Sequence, residues 1–236
     1  MHSDAVHALT LRGRRGSPLG DALRRRRRSL ALVFAVTTLL ASAVVHRFDL
    51  VALSAQATVT GDVVSGARLD TFSTLRLALE AGLLCGLAST ALVTTALLTR
   101  DRRVRLSRGV PQLLLGVVGF LGGASVARLA LPFVLAFDGP AGGTIAATVD
   151  PVGVVELALF FPVAVGVGVA LPALLVAAVR AGAVPRYTST RQRGYATLAF
   201  VTLAATHSPA DLTTFGLFAL PPFAGFGVGL AWLELR

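Results

Sequence analysis

Residues 180 to 227 read RAGAVPRYTSTRQRGYATLAFVTLAATHSPADLTTFGLFALPPFAGFG. Arg180, Arg186, Arg191 and Arg193 form a basic leader to an apolar run from Tyr195 to Thr206. That run stops at His207-Ser208-Pro209-Ala210-Asp211, and a second run containing Ala219-Leu220-Pro221 follows at once. Two apolar runs joined by a Pro-Asp corner make a tight helical hairpin in a membrane. Pro209 is expected to end or start a helix there, because its ring and missing N–H break the ladder. Five polar residues hold no domain, so this end of the hairpin is only a turn. The basic leader marks the other end.

Composition agrees with that reading. Hydrophobic residues make up 54% of the 236 residues, and the mean hydropathy is +0.74, well above that of an average soluble domain. The basic residues are 22 arginines without a lysine, for a formal net charge of +10. In a soluble chain such a charge points to nucleic acid. Here the arginines lie in blocks between apolar runs, where they report topology instead. Cys85 is the one cysteine, so no intrachain disulfide forms. No repeat of 20 to 50 residues recurs.

From the N-terminus, residues 1–28 are polar and hold eight arginines, among them Arg24 to Arg28. Leu19 to Arg28 is expected as a helix at the membrane surface. Ser29 to Val45 is the first apolar run. With its arginine flank and Ala41-Ser42-Ala43 it mimics a cleavable signal, but the flank retains it as an anchor. The further spans read Phe72–Leu98, Val110–Phe137 and Val152–Val179, followed by the two hairpin arms. A span needs roughly 20 apolar residues to cross a core about 30 Å thick. The hairpin arms, about 13 and 20 residues long, are expected to be shorter than the rest and to thin the bilayer locally. Gly116, Gly119, Gly122 and Gly123 suggest close packing in the third span. The fold expected is all-α and polytopic, with six transmembrane helices. Residues 1–28 form a basic cytoplasmic segment and 29–236 the membrane domain.

The N-terminus, residues 99–109, residues 180–194 and the C-terminus hold eighteen of the 22 arginines. The three opposite loops hold only Arg47 and Arg68, with six aspartates. Positive charge stays on the cytoplasmic side, which places both termini inside.

Four charges fall within apolar spans: Arg76, Glu80, Arg128 and Glu156. Each is expensive in lipid unless paired or facing water. Arg76 and Glu80 share a helix face at i, i+4. Glu80 and Arg128 lie at similar depth, roughly 12 Å below the outer surface at 1.5 Å per residue. Arg128 is therefore expected to pair with Glu80 or Glu156. The four charges line a polar cavity opening outward, or fix helix packing, or, for the arginines, snorkel to the interface.

Catalytic constellations are missing. The histidines His2, His7, His46 and His207 have no metal-ligand spacing. His207, Ser208 and Asp211 crowd one turn, whereas a triad converges from separate elements. No phosphate-binding glycine loop is present. No enzyme, cofactor or metal site is expected.

Taken together, the chain resembles the TatC family, the six-span core subunit of the twin-arginine (Sec-independent) protein translocase. Arg180-x-Gly182-x-Val184 looks like the family's basic turn after span four, and Arg193-x-Tyr195 like its entry to span five. Ser208-Pro209-Ala210-Asp211 looks like its Thr-Pro-Pro-Asp corner, and Ala219-Leu220-Pro221 like its Ala-Leu-Pro. Leu171-Pro172, Gly123-Ala124 and Leu131-Pro132 also fit, and the match spans roughly residues 18 to 233. The resemblance implies a multi-pass protein of the cytoplasmic membrane. Its implied partners are membrane lipid, small single-span subunits, precursors with twin-arginine signal peptides and further copies of the chain, but not nucleic acid.

The family's His-Leu-x-Glu-Leu-Arg is here Gly20-Asp21-Ala22-Leu23-Arg24, with alanine at the glutamate position. The acidic residue ending the loop between spans two and three is gone, and Asp101 is the carboxylate nearby. The span-four glutamate is Ala170, and the Tyr-Glu of span six is Phe226-Gly227. The resemblance thus implies a signal-peptide surface made by Asp21, Leu23, Arg24 and Asp101. Two other readings stand beside it: a TatC-fold paralogue without signal binding, and a small-molecule or ion transporter built on the four intramembrane charges.

Overall fold

The computed structural model describes residues 18–48, 71–99, 104–136, 151–184, 190–207 and 212–235. Among these the chain is all helix, without a strand. The elements are α1 (Pro18–Arg47), α2 (Thr71–Thr99), a 3-10 turn (Leu106–Arg108), α3 (Val110–Leu135), α4 (Pro151–Arg180), α5 (Thr190–His207) and α6 (Leu212–Leu235). The corner residues Ser208, Pro209 and Asp211 lie outside the described residues, as does Asp101. The two hairpin helices end and begin on either side of that corner.

Among the described residues, five helices are long and apolar enough to cross a membrane: α1, α2, α3, α4 and α6. α5 is not one of them. Its 18 residues begin with Thr190-Arg191-Gln192-Arg193, leaving an apolar part of about 20 Å at 1.5 Å per residue. α5 and α6, with 18 and 24 residues, are shorter than the other four helices, which have 26 to 30.

α1 joins the expected surface helix and the first span into one element with a break at Arg26 (φ −112°, ψ 16°). Five consecutive arginines repel one another along a helix, and the break falls among them. Beyond it α1 packs along α2. The approach is close: a Cβ on Gly82 would stand 2.0 Å from Ser42 Oγ and 2.6 Å from the Thr38 carbonyl oxygen. Ser42 Oγ donates to that same carbonyl at 2.8 Å.

α4 is the central helix, with α3 along one side and α6 along another. Small residues set both contacts, as expected where helices associate by packing without a solvent-driven hydrophobic force. Gly116, Gly119 and Gly123 of α3 face Leu174, Val169 and Gly166 of α4, but Gly122 has nothing within 4 Å of where a Cβ would stand. The α4–α6 crossing is tighter still. A Cβ on Gly225 would stand 1.9 Å from the Gly168 carbonyl oxygen, and one on Gly168 would stand 2.5 Å from the Pro221 carbonyl. Pro172 lies four residues beyond Gly168 and lacks the N–H that would engage its carbonyl. That oxygen is therefore open to the Cα–H of Gly225, a weak hydrogen bond that recurs where helices touch.

Two apolar clusters join the helices at opposite ends. The larger contains Leu77 of α2, Leu131 of α3, Leu157 and Phe160 of α4, Ala204 of α5 and Phe218 of α6. The smaller, at the arginine-rich end, gathers Leu98, Val104, Ala181 and Ala183, with Leu19 and Val184 packed against them. The latter depends on how α4 ends. Gly182 has φ 76°, a left-handed conformation natural to glycine after a helix. Ala183 N–H then bonds back to the Ala178 carbonyl at 2.9 Å. This turn presents the Ala181 carbonyl to Arg105 N–H at 2.9 Å and the Ala183 carbonyl to Leu19 N–H at 3.3 Å. The motif Arg180-x-Gly182-x-Val184 is the stop that lets three segments converge.

At the same end Arg193 Nη2 of α5 pairs with Glu234 Oε1 of α6. The pair is half-exposed, so it contributes at most about 1 kcal/mol. Edge-on contacts of Phe200 with Phe223 and Phe226, at 6.0 and 5.6 Å, hold the two helices together above it.

Because the Gly225 contact is with backbone, the neighbour cannot turn aside. Gly225→Ala is expected to destabilise the protein by about 1–3 kcal/mol, the usual cost of overpacking. Gly122→Ala is expected to be neutral or stabilising by up to about 1 kcal/mol through helix propensity. Thermal unfolding of the two variants in detergent checks the contrast.

Candidate functional site

Three of the four intramembrane charges meet. Arg76 on α2 places Nε 2.9 Å from Glu80 Oε1 and Nη2 2.9 Å from Glu156 Oε1 of α4. The first contact is an aligned hydrogen bond. The second is an ion pair by distance, without hydrogen-bond alignment at that oxygen. Both carboxylates are buried, at 7% and 1% side-chain exposure, while the Arg76 side chain is 54% exposed. The guanidinium thus reaches in from an open position and serves two carboxylates that have left water. A fork of five donors suits it to that task better than a point-charge ammonium.

The local sequence explains the placement. Arg76 and Glu80 are one turn apart, and Leu77 between them is fully buried. α2 therefore turns this stripe toward α4. On α4, Val154, Val155 and Leu157 are buried on either side of Glu156, so its carboxylate emerges within the larger apolar cluster. Buried charge of this kind requires a partner, since an isolated ion in a low-dielectric site costs many kcal/mol.

A fourth group joins from α5. His207 is buried at 4% exposure. Its Nδ1 lies 2.9 Å from the Leu203 carbonyl oxygen and its Nε2 3.3 Å from the main-chain oxygen of Glu80. Phe160 of α4 meets the ring edge-on at 5.0 Å. A neutral imidazole has one N–H and donates to one of these carbonyls at a time. Among the described residues Glu80 Oε2 is buried without a hydrogen-bond partner.

Arg128 departs from expectation. Its side chain is exposed on α3, and among the described residues it pairs with neither Glu80 nor Glu156. Depth along the helices placed it level with Glu80. Rotation decides the outcome: Ala127 and Leu131 turn toward the core, and Arg128 is carried past it. Position along a span is legible from residue counts, but the facing of a helix apolar on every side is not. The same limit hid His207, which read as a turn residue. The available signal was its place at the end of a short span, level with the outer charges.

The expected signal-peptide residues lie at the other end. Asp21 sits half-buried in the first turn of α1, where a carboxylate also complements the helix dipole. Leu23 is 44% exposed, and Arg24 is exposed. Leu19 packs beside Leu98 and Val104, which flank the connection containing Asp101. Pro221 belongs to α6 and sits at the Gly168 crossing. Among the described residues no cluster of three metal-ligating side chains occurs.

Arg76→Leu is expected to cost about 3 kcal/mol, the lower part of the range for breaking a buried pair, because the arginine itself is half-exposed. Adding Glu80→Gln and Glu156→Gln should recover much of that loss, while Arg128→Leu should stay within about 0.5 kcal/mol. Unfolding in detergent, read as a mutant cycle, checks all three.

A family model described as "Sec-independent protein translocase protein (TatC)" matches residues 21–221. No curated protein and no solved structure matches the chain. The match runs from the first turn of α1 to the α4–α6 crossing and takes in most of the helical framework described above. The chain is a multi-pass membrane protein of the Tat protein-translocation pathway and belongs to the TatC family.

Proposed function

We propose that the chain recognises twin-arginine signal peptides and supports export of folded proteins across the cytoplasmic membrane, with small single-span subunits as partners. All six helices, α5 included, cross the membrane in this reading, with both termini cytoplasmic. Residues 1–28 form a basic cytoplasmic segment ahead of the membrane domain. The arginine-rich end carries the signal surface, and Asp21, Leu23, Arg24 and Asp101 contribute to it.

The observation that carries this reading is the family match beginning at Asp21. The apolar cluster that ties Leu19 to Leu98 and Val104 supports it, because both flanks of the Asp101 segment pack against the start of α1. A paired guanidinium ligand needs carboxylates. The segments around Asp21 and Asp101 are strongly basic, so one carboxylate alone scarcely offsets the repulsion and two converging ones can. Leu23 offers an exposed apolar contact beside them.

A second reading, a paralogue that keeps the fold without signal binding, is favoured by Ala22, Ala170 and Phe226-Gly227 at the family's acidic positions. The Arg76–Glu80–Glu156 cluster then has a packing role in both readings. A twin-arginine reporter in cells lacking their own TatC separates them. If the first reading holds, the parent chain exports the reporter and forms crosslinks to it from a photoreactive residue at position 23. Asp21→Ala and Asp101→Ala each lower export about tenfold or more, the equivalent of one lost charge-assisted hydrogen bond of ~1.5–3 kcal/mol. A parent chain that never supports export selects the paralogue, and normal export by both variants removes these aspartates from the signal site. A topology reporter fused after Arg236 should report the cytoplasm, and one reporting the exterior overturns the orientation.

A further inference from the structure

α3 and α6 each pack along α4 but leave a groove of about 450 Å³ between them at the arginine-rich end. Its deep part is apolar, with Gly119, Val169 and Pro172 among its walls. Val169 is 52% exposed into it. Its mouth is different: Gln112 of α3, Arg180 of α4 and Trp232 of α6 meet there. Among the described residues Gln112 Oε1 is buried without a hydrogen-bond partner.

The backbone brings two further cations close to the Arg180 end of α4, next to that mouth. Arg105 N–H bonds to the carbonyl of Ala181, the residue after Arg180, at 2.9 Å. Gly109 lies so close to α4 that a Cβ on it would stand 2.8 Å from the Ala177 carbonyl oxygen, which sets Arg108 beside the last turn. Arg105, Arg108 and Arg180 are all exposed. Among the described residues none of them forms an ion pair.

We infer that this groove is a binding site for an anionic phospholipid of the leaflet on the arginine-rich side. Its phosphodiester sits among Arg105, Arg108 and Arg180, and one acyl chain lies along Gly119 and Val169. A phosphate takes two parallel N–H bonds from a guanidinium. Basic pockets between membrane helices hold lipid headgroups on this principle. Trp232 suits the boundary, with an apolar ring and one polar edge. The orphaned Gln112 oxygen accepts a hydrogen bond, which a hydroxylated headgroup such as glycerol donates. Three exposed arginines at one end of the groove favour an occupant with a fixed negative charge, which an anionic headgroup carries on every molecule.

Trp232 is the single tryptophan of the chain, which makes the site readable without a label. The full chain is reconstituted into mixed vesicles of phosphatidylglycerol and phosphatidylcholine in which one lipid or the other carries brominated acyl chains. Brominated phosphatidylglycerol is expected to quench Trp232 at much lower mole fraction than brominated phosphatidylcholine. Arg105→Gln with Arg180→Gln should reduce that preference roughly 30-fold, corresponding to about 2 kcal/mol for two interfacial arginines. Arg128→Gln, a cation removed elsewhere, should leave it intact and controls for general charge loss. Equal quenching by the two lipids, or a preference unchanged in the double variant, overturns the inference. Quenching by neither lipid means that protein fills the groove and overturns it as well. The readout does not involve export, so it stands or falls separately from the proposed function.

Discussion

One guanidinium ties the two parts of this membrane bundle together. α1 and α2 form one closely packed pair, and α3, α4 and α6 form another group around α4. Between them, Arg76 grips a carboxylate on its own helix and one on α4. His207 adds a contact from α5 to the backbone of Glu80. Lipid supplies little drive for apolar helices to find one another, so a few polar contacts carry the choice of partner. A buried Glu156 facing anything but a cation is prohibitive, and the rotation of α4 against α2 follows from that constraint.

Within each part the selection is steric. Gly82 against Ser42, and Gly225 against Gly168, let backbones approach to distances that any side chain prevents. Prolines cooperate with this. Pro172 opens the Gly168 carbonyl, and Pro221 lies across the same crossing. The cost of an interrupted helix is offset where another helix supplies a contact to the freed oxygen.

The arginine-rich end follows a different logic. The left-handed turn at Gly182 lets α4 stop and gather the start of α1 and the chain before α3 around Ala181 and Ala183. This places the beginning of the family match, the flanks of Asp101 and three exposed arginines on one side of the protein. The proposed signal surface and the inferred lipid site use neighbouring but separate parts of that end: the former its carboxylates, the latter its cations beside an apolar groove.

Hydropathy alone determined the helical class, the number and order of apolar segments, and the shortness of the terminal hairpin, because each is a property of consecutive residues. Family membership was legible from Arg180-x-Gly182-x-Val184, Ser208-Pro209-Ala210-Asp211 and Ala219-Leu220-Pro221, since turns and corners demand particular residues at fixed spacing. Residue counts also set the expected depth of Glu80 and Arg128. Their pairing was not legible. The spans are apolar around most of their circumference, so no stripe announces which face turns inward. Packing of Ala127 and Leu131 sends Arg128 outward and leaves Glu80 and Glu156 to Arg76. His207 became part of the site for the same reason: only the approach of α5 to α2 brings its ring to the Glu80 carbonyl. Gly122 could not be told from its neighbours until α4 was seen to cover Gly116, Gly119 and Gly123 but not Gly122. Rotation about a helix axis is set by contacts between segments distant in the chain, which local sequence does not encode.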